Sequence, residues 1–284
     1  MFSRRWIINY VLIVLIVILT YVGNRFGVTT GYKPEQRIST LRPADIQTIG
    51  IQTADASLGL RRDAQGWLIE TPIRWPANSI NIERLLSIVN SETDSRLPAD
   101  EINLAKLGLQ FPEAVLTLND TQLLFGATNN IGERRYLMTG STVFLLPDIH
   151  LLLFSQGLAG IVDRRLLPPR YRLNKLKLAE FDISRNADDS WQVIGEEGFE
   201  SDQIISLLNN WQQLDASKIK PFDTGEMPRQ KLVASLADGS SYEFFVMSID
   251  PGIVIANPQT GLQYHFPASL YYQLISLRRN ETPG

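Results

Sequence analysis

Cysteine is absent from this chain, which excludes disulfides, thiolate metal sites, a cysteine nucleophile and lipidation at an N-terminal Cys. Histidine is scarce. The two present, His150 and His265, are too few for a His-rich metal site, and neither stands in an H-E-x-x-H pattern. No G-x-S-x-G elbow, G-x-x-x-x-G-K-[ST] loop or G-x-G-x-x-G fingerprint occurs, so a serine hydrolase of that type, a P-loop NTPase and a Rossmann enzyme have no sequence support. A basic surplus is lacking too. With 27 Lys and Arg against 30 Asp and Glu, the net charge of −3 is not that of a nucleic-acid binder. The sequence thus points to no catalytic residue, no cofactor and no metal.

What is there begins with a long apolar run. From Trp6 to Asn24, nineteen residues carry no formal charge, and as a helix they would span roughly 28 Å at about 1.5 Å per residue. That matches a bilayer core. A secretory signal has a shorter apolar region and small residues at a cleavage site; here the run ends in TYVGNRFG, which predicts an uncleaved anchor. Trp6, Tyr10 and Tyr21 sit near the ends of the span, where amphipathic rings prefer the headgroup region. Arg4 and Arg5 precede it, and Arg25 is the only basic residue in the first eight positions beyond it. By the positive-inside rule, residues 1–5 stay in the cytoplasm, 6–24 cross the membrane, and everything after Asn24 is exported. The expected address is a bacterial inner membrane, single-pass, with the C-terminal region in the periplasm. Residues 25–40 are polar, contain Gly27, Gly31 and Pro34, and read as a tether.

Beyond the tether the chain repeats itself. The stretch Gln65–Leu86, QGWLIETPIRWPANSINIERLL, returns as Asp189–Leu208, DSWQVIGEEGFESDQIISLL. Trp67 and Trp191 lie 124 positions apart, Leu85 and Leu207 lie 122 apart, and Leu116 and Ala234 lie 118 apart. So small a drift predicts a tandem duplication, with unit one at 41–162, an Arg- and Pro-rich connector at 163–172, and unit two at 173–284. The fold class expected is α+β, each unit a largely antiparallel sheet with a helix on one face.

The patterns within each unit are explicit. QTIGIQT and SLGLRR alternate apolar and polar residues as half-buried strands do. Ile82, Leu85, Leu86 and Val89 follow helical spacing, with Asn78 or Ser79 as N-cap. NLAKLGL reads as a second short helical turn ended by Gly108 and Pro112. Strands AVLTL, QLLFGA, RRYLM and TVFLL follow, and HLLLF closes the unit as a short helix. Unit two repeats the order with LKLAEFDIS, WQVIG, the helix SDQIISLLNNWQQL, and strands at LVASL, YEFFVM, IVIAN and LQYHF. The offset falls from 122 to 118 after the helix because unit two lacks the LAKLGLQFP turn.

The segments GWLIETPI, ANSINIERLLSIV, LGLQFP before AVLTL, and DRRLL together resemble the bacterial family catalogued as domain of unknown function 4340. The resemblance covers Leu41 to Pro168 best and is weaker in the second copy, where LGLQFP is missing. It implies an N-terminal membrane anchor and this ββα-then-β order. It also implies an accessory role beside ABC-type exporters of the gliding-motility kind, with no established chemistry and no catalytic residues.

Several polar and aromatic clusters carry groups with chemical potential. Asp188-Asp189 and Glu196-Glu197 are adjacent pairs in a turn and a loop, whereas glycosidase carboxylates face each other several Å apart across a cleft. They read as solvated turns. Glu133-Arg134-Arg135 and Asp163-Arg164-Arg165 are candidate contacts for an anionic partner, since Arg presents a bidentate fork; the plain alternative is intra-chain pairing. Trp67, Trp75, Trp191 and Trp211 read as core, with an aromatic ligand cleft as the alternative. The function expected is a non-catalytic, membrane-anchored accessory or assembly subunit of a cell-envelope complex, with the membrane and a membrane-protein complex as partners. The alternatives are a periplasmic lipid or glycan binder and a carboxylate-dependent envelope hydrolase.

Overall fold

Alternating burial along short strands builds most of the molecule, since residues two apart share one face of a sheet. The computed structural model describes residues 13–16, 37–129, 132–168, 170–195, 199–222, 225 and 227–277. The chain divides into Met1–Arg37 and a compact unit, Ile38–Gly284. The expected span Trp6–Asn24, with Arg4, Arg5, Trp6, Tyr10 and Tyr21, lies outside the described residues except for 13–16, which are helical and exposed. Among the described residues no helix is long and apolar enough to cross a membrane.

Ile38–Gly284 holds two sheets. The first comprises β1 (Thr48–Thr53), β2 (Ser57–Asp63), β3 (Gly66–Thr71), β4 (Trp75–Pro76), β5 (Arg96–Pro98), β6 (Ala114–Leu118), β7 (Thr121–Asn129), β8 (Arg134–Thr139) and β9 (Thr142–Pro147). The second comprises β10 (Leu173–Lys177), β11 (Asp182–Arg185), β12 (Trp191–Ile194), β13 (Lys218–Pro221), β14 (Gln230–Leu236), β15 (Ser241–Ser248), β16 (Gly252–Asn257) and β17 (Leu262–Pro267). Their spatial orders are β4, β3, β2, β1, β6, β7, β8, β9, β5 and β12, β11, β10, β14, β15, β16, β17, β13. Without β4, the two orders agree strand for strand. The pairing is antiparallel throughout, and the fold is α+β with two mostly antiparallel sheets.

Register agrees as well as order. In the first sheet Ile51 stands between Leu58 and Leu116; in the second Leu176 stands between Ile183 and Ala234. At the far hairpin Arg62 faces Trp67 and Arg185 faces Trp191. The helices match by position too. Ser79–Leu86 and the 3-10 turn Ser87–Asn90 bury Ile82, Leu85, Leu86 and Val89, while Ser201–Gln213 buries Ile204, Leu207, Leu208 and Trp211. Both sets follow the i, i+3, i+4, i+7 rule of one helical face, and each such side chain contributes about 1.5–3 kcal/mol when fully buried. Asn78 caps the first helix by accepting a hydrogen bond from Asn81 N.

Four sequence expectations change in detail. The NLAKLGL segment is a run of turns, not a helix: Leu107 O accepts from Ala127 N, and Leu107 and Leu109 press so closely on Gly126 that a Cβ there would collide with both. The repeated Trp67 and Trp191 are half-buried at the sheet margin, Trp191 stacked under Arg185, whereas the fully buried pair is Trp75 and Trp211. β5 and β13, which occupy equivalent places beside β9 and β17, carried no alternation signal because they are short and Pro-ended. The closing segment of the first half is two short helices, Leu151–Phe154 and Leu158–Ile161.

Arg135, one of the candidate partner contacts, is 7% exposed. It lies on the inward face of β8 with Leu137. Its Nε and Nη2 donate to Asp148 at 2.8 and 2.9 Å, and Nη1 donates to Glu113 at 2.6 Å and to the Gly126 carbonyl. The fork is occupied within the chain. Burial would lower the Arg135 pKa, but Asp148 and Glu113 together raise it, and Asp148 is in turn held below 3.8, first by its hydrogen bond to Arg135.

Two outcomes follow for stability. Arg135→Ala strands Asp148 and Glu113, and because both carboxylates keep some solvent access we expect the low end of the about 3–5 kcal/mol lost on breaking a buried pair, read by urea unfolding. A loss within error would show the network to be dispensable. The second concerns pH. Burial holds His150 below its ordinary 6.5, against opposing contributions from the Arg84 carbonyl and Asp148. Burial, then Lys220 and Lys218, lower His265 likewise. Because the unfolded chain protonates first, this stability is full above about pH 6.5 and drains as pH falls below it. Urea midpoints should therefore fall between about pH 7 and pH 5, and the fall should be shallower in His150→Gln; equal slopes in both proteins would refute this.

Candidate functional site at the joint of the two halves

The segment Ile161–Leu167 leaves the helix Leu158–Ile161 and joins the halves as a bent, largely buried chain; Ile161, Val162, Leu166 and Leu167 are all at most 1% exposed. Buried backbone must find partners, and here they come from both sides. Ile161 O accepts from Asn78 N and Asp163 N donates to Pro76 O in the first half; Arg164 O accepts from Ala216 N and Leu167 N donates to Trp211 O in the second. The bridges Ala77 to Val162 and Arg165 to Asp215 complete the seam. Beyond it, Tyr171 packs against Trp75 and Tyr242 with ring centroids 5.0 and 5.6 Å away, so one aromatic group touches both halves.

The candidate residues Arg164 and Arg165 part company here, as their hydrogen bonds show. Arg165 turns back onto Asp163, which is 4% exposed: its backbone N and Nε donate to Oδ1 at 3.0 and 2.8 Å, and Nη2 donates to Oδ2. The Asp163 hydrogen bonds raise the Arg165 pKa, with burial opposing. Arg164 points the other way, its Nε donating to Ala216 O at 2.9 Å and its Nη2 to Ser217 O at 2.6 Å and to Ala216 O. Thus one guanidinium meets a carboxylate and the other meets only carbonyl oxygens.

A hollow opens on each side. On the Arg165 side, a space of about 400 Å³ is bounded by Trp67, Asp163, Arg165 and Arg170. It shares Gly66, Trp67 and Ser79 with a neighbouring space of about 420 Å³ that reaches Arg62, Glu83 and Asn90. Arg170 is pinned to the β2–β3 hairpin through Asp63 at 2.6 and 2.8 Å. On the Arg164 side, a hollow of about 300 Å³ is lined by Asn81, Leu152, Leu153, Arg164, Ser217 and Lys218, among others.

The other candidates stand apart. Arg134 is exposed on β8. Asp188 accepts from Ser190 in its turn and is thereby held below 3.8, while Asp189 pairs with Arg172 at 2.8 Å and Arg185 at 3.4 Å. Glu196 and Glu197 lie outside the described residues. Among the described residues no group of three His, Asp or Glu side chains is placed to hold a metal ion. Sequence reasoning missed Lys218 and Ser217; the only signal was the Lys-x-Lys spacing of KIK, which places both lysines on one strand face.

No curated protein and no solved structure matches the chain. A family's sequence profile, described as "Domain of unknown function (DUF4340)", matches residues 67–226. The matched stretch begins at Trp67 beside the paired hollows, runs through the first half and the seam, and ends just past β13. It therefore contains the joint and all the lining residues named on the Arg164 side, and it reaches further into the second half than the likeness over 41–168 suggested. With more than half of its length so matched, the chain belongs to the DUF4340 family.

Proposed function

We propose that this protein is a membrane-anchored, extracytoplasmic accessory or assembly subunit of a cell-envelope complex, descended by tandem duplication of one sheet-and-helix unit. The observation that carries the reading is the pairing of an uncharged, bilayer-length run, Trp6–Asn24, with a compact body that begins at Ile38. An anchor and short tether raise the effective concentration of that body for neighbouring membrane proteins. The identical strand order and matched register support the duplication. Exposed apolar side chains such as Ile149 and Leu152 offer contact area of the kind partner proteins cover. The family resemblance makes an ABC-type exporter the first partner to test.

The carboxylate-hydrolase reading has less to draw on, because Asp163, the carboxylate at the joint, is held in an ion pair with Arg165. A glycan binder finds support in one feature, the half-buried Trp67 between two hollows, where an aromatic face can stack on a sugar ring.

If the assembly reading holds, replacing Trp6–Asn24 with a cleavable export signal abolishes co-purification with the membrane complex, while Asp188→Asn and Asp189→Asn leave it intact. Cross-linked pull-downs from membranes of the three strains read the result. A soluble form that keeps both partner and phenotype would sink the proposal.

A further inference from the structure

The hollow beside Arg164 has chemistry that the assembly reading does not use. Its cations are Arg164 and Lys218, and among the described residues no carboxylate lines it. Arg164 is fixed in place by the Ala216 and Ser217 carbonyls, so its fork is oriented without its charge being neutralised. Lys218 makes no ion pair among the described residues. It faces His265 across the β13–β17 ladder and shares a strand face with Lys220. The positive potential there is felt by His265, whose pKa is lowered by burial first and then by Lys220 and Lys218.

Ser217 spends its hydroxyl proton and its backbone N–H on the His265 carbonyl, so it orients Arg164 through its own carbonyl and offers an oxyanion no donor. Asn81 is held by donating Nδ2 to Gly160 O at 2.9 Å. At about 300 Å³ the space exceeds what a single tetrahedral anion needs, and Leu152 and Leu153 give its otherwise mostly polar lining an apolar wall. Leu152 is 67% exposed and extends the apolar rim outward.

We propose that this hollow is a binding site for a phosphate-type anion, held by Lys218 as a point charge and by Arg164 through Nη1, the guanidinium nitrogen that the Ala216 and Ser217 carbonyls leave over. The anion is either free phosphate or a phosphate carried on an anionic lipid headgroup, whose glycerol and first methylenes would occupy the Leu152 side. The site does not depend on the assembly reading.

The test uses the full chain in neutral detergent, titrated calorimetrically with inorganic phosphate, dihexanoyl phosphatidylglycerol and dihexanoyl phosphatidylcholine. Lys218→Gln should weaken binding of the anionic probe about tenfold, the loss of one charge-assisted hydrogen bond. Lys220→Gln, on the same strand but outside the lining, should change it less than about twofold. Thermal unfolding of both variants controls for folding. A lipid source is identified when phosphatidylglycerol outcompetes phosphate and Leu152→Ser weakens only the lipid; equal competition and no effect of Leu152→Ser identify free phosphate. Either result upholds the anion site. No binding of either anionic probe, equal losses in Lys218→Gln and Lys220→Gln, or undiminished binding in Lys218→Gln would overturn it.

Discussion

The backbone of Ile161–Leu167 is the constraint on which the arrangement of Ile38–Gly284 rests. It is buried, so each of its polar groups needs a partner; Ile161 and Asp163 find theirs in the first half, at Asn78 and Pro76, and Arg164 and Leu167 find theirs in the second, at Ala216 and Trp211. A shift of one half against the other would break hydrogen bonds that no water could replace. The seam also starts both long helices' surroundings, since Asn78 is the N-cap of the first and Trp211 lies in the last turn of the second. Trp211 is tied a second time by Nε1 donating to Leu274 O at 2.8 Å. Each helix is thus positioned by its own apolar face and by one end pinned to the seam.

Equivalent halves joined in tandem cannot have equivalent surroundings. β5 and β13 hold the same place in their sheets, yet helix Leu158–Ile161 packs against β13, and the matching edge β5 exposes Leu97. An exposed edge invites strand pairing with another chain. β5 is short, ends in Pro98, and carries Arg96 over the Phe144 ring, which are the usual means of blunting an edge. The covered edge β13 has a different use: its Lys218 forms one wall of the hollow beside Arg164. The joint therefore gives β13 a helical neighbour, and hence a wall to the hollow, of a kind that β5 is not given.

Much of this fold was legible because its strands and helices are strongly periodic. Both Leu-Leu helices and the strands at AVLTL, RRYLM, YEFFVM and LQYHF form where their patterns place them. What was not legible depends on contacts distant in sequence. NLAKLGL has the composition of a helical turn, but the close approach of Leu107 to Gly126 takes its backbone into turns instead. DRRLL reads as part of an Arg- and Pro-rich connector, yet Leu166 and Leu167 are fully buried in the core, with Leu167 N bonded to Trp211 O. Trp75, between two prolines-rich flanks, gave no pattern and is nonetheless the centre of the aromatic contact with Tyr171 and Tyr242. For the candidate site, the sequence yielded Arg164 but not Lys218, since the two are 54 positions apart and meet only where the seam packs beside β13.

Arg135 and Arg164 show why an arginine pair in sequence has no fixed meaning. Alternation along β8 puts Arg135 on the face of Leu137, where an unpaired charge would be prohibitive. Asp148 and Glu113 neutralise it, so its charge is spent on holding β8 to the loop after β9 and the approach to β6. Arg164 is bound just as firmly, but by carbonyl dipoles, which fix orientation and leave the net charge in place. Lys218 adds to that charge rather than cancelling it, and the Asp163 carboxylate that would have done so is paired with Arg165 instead. The sign of the hollow thus follows from which of two neighbouring arginines Asp163 holds.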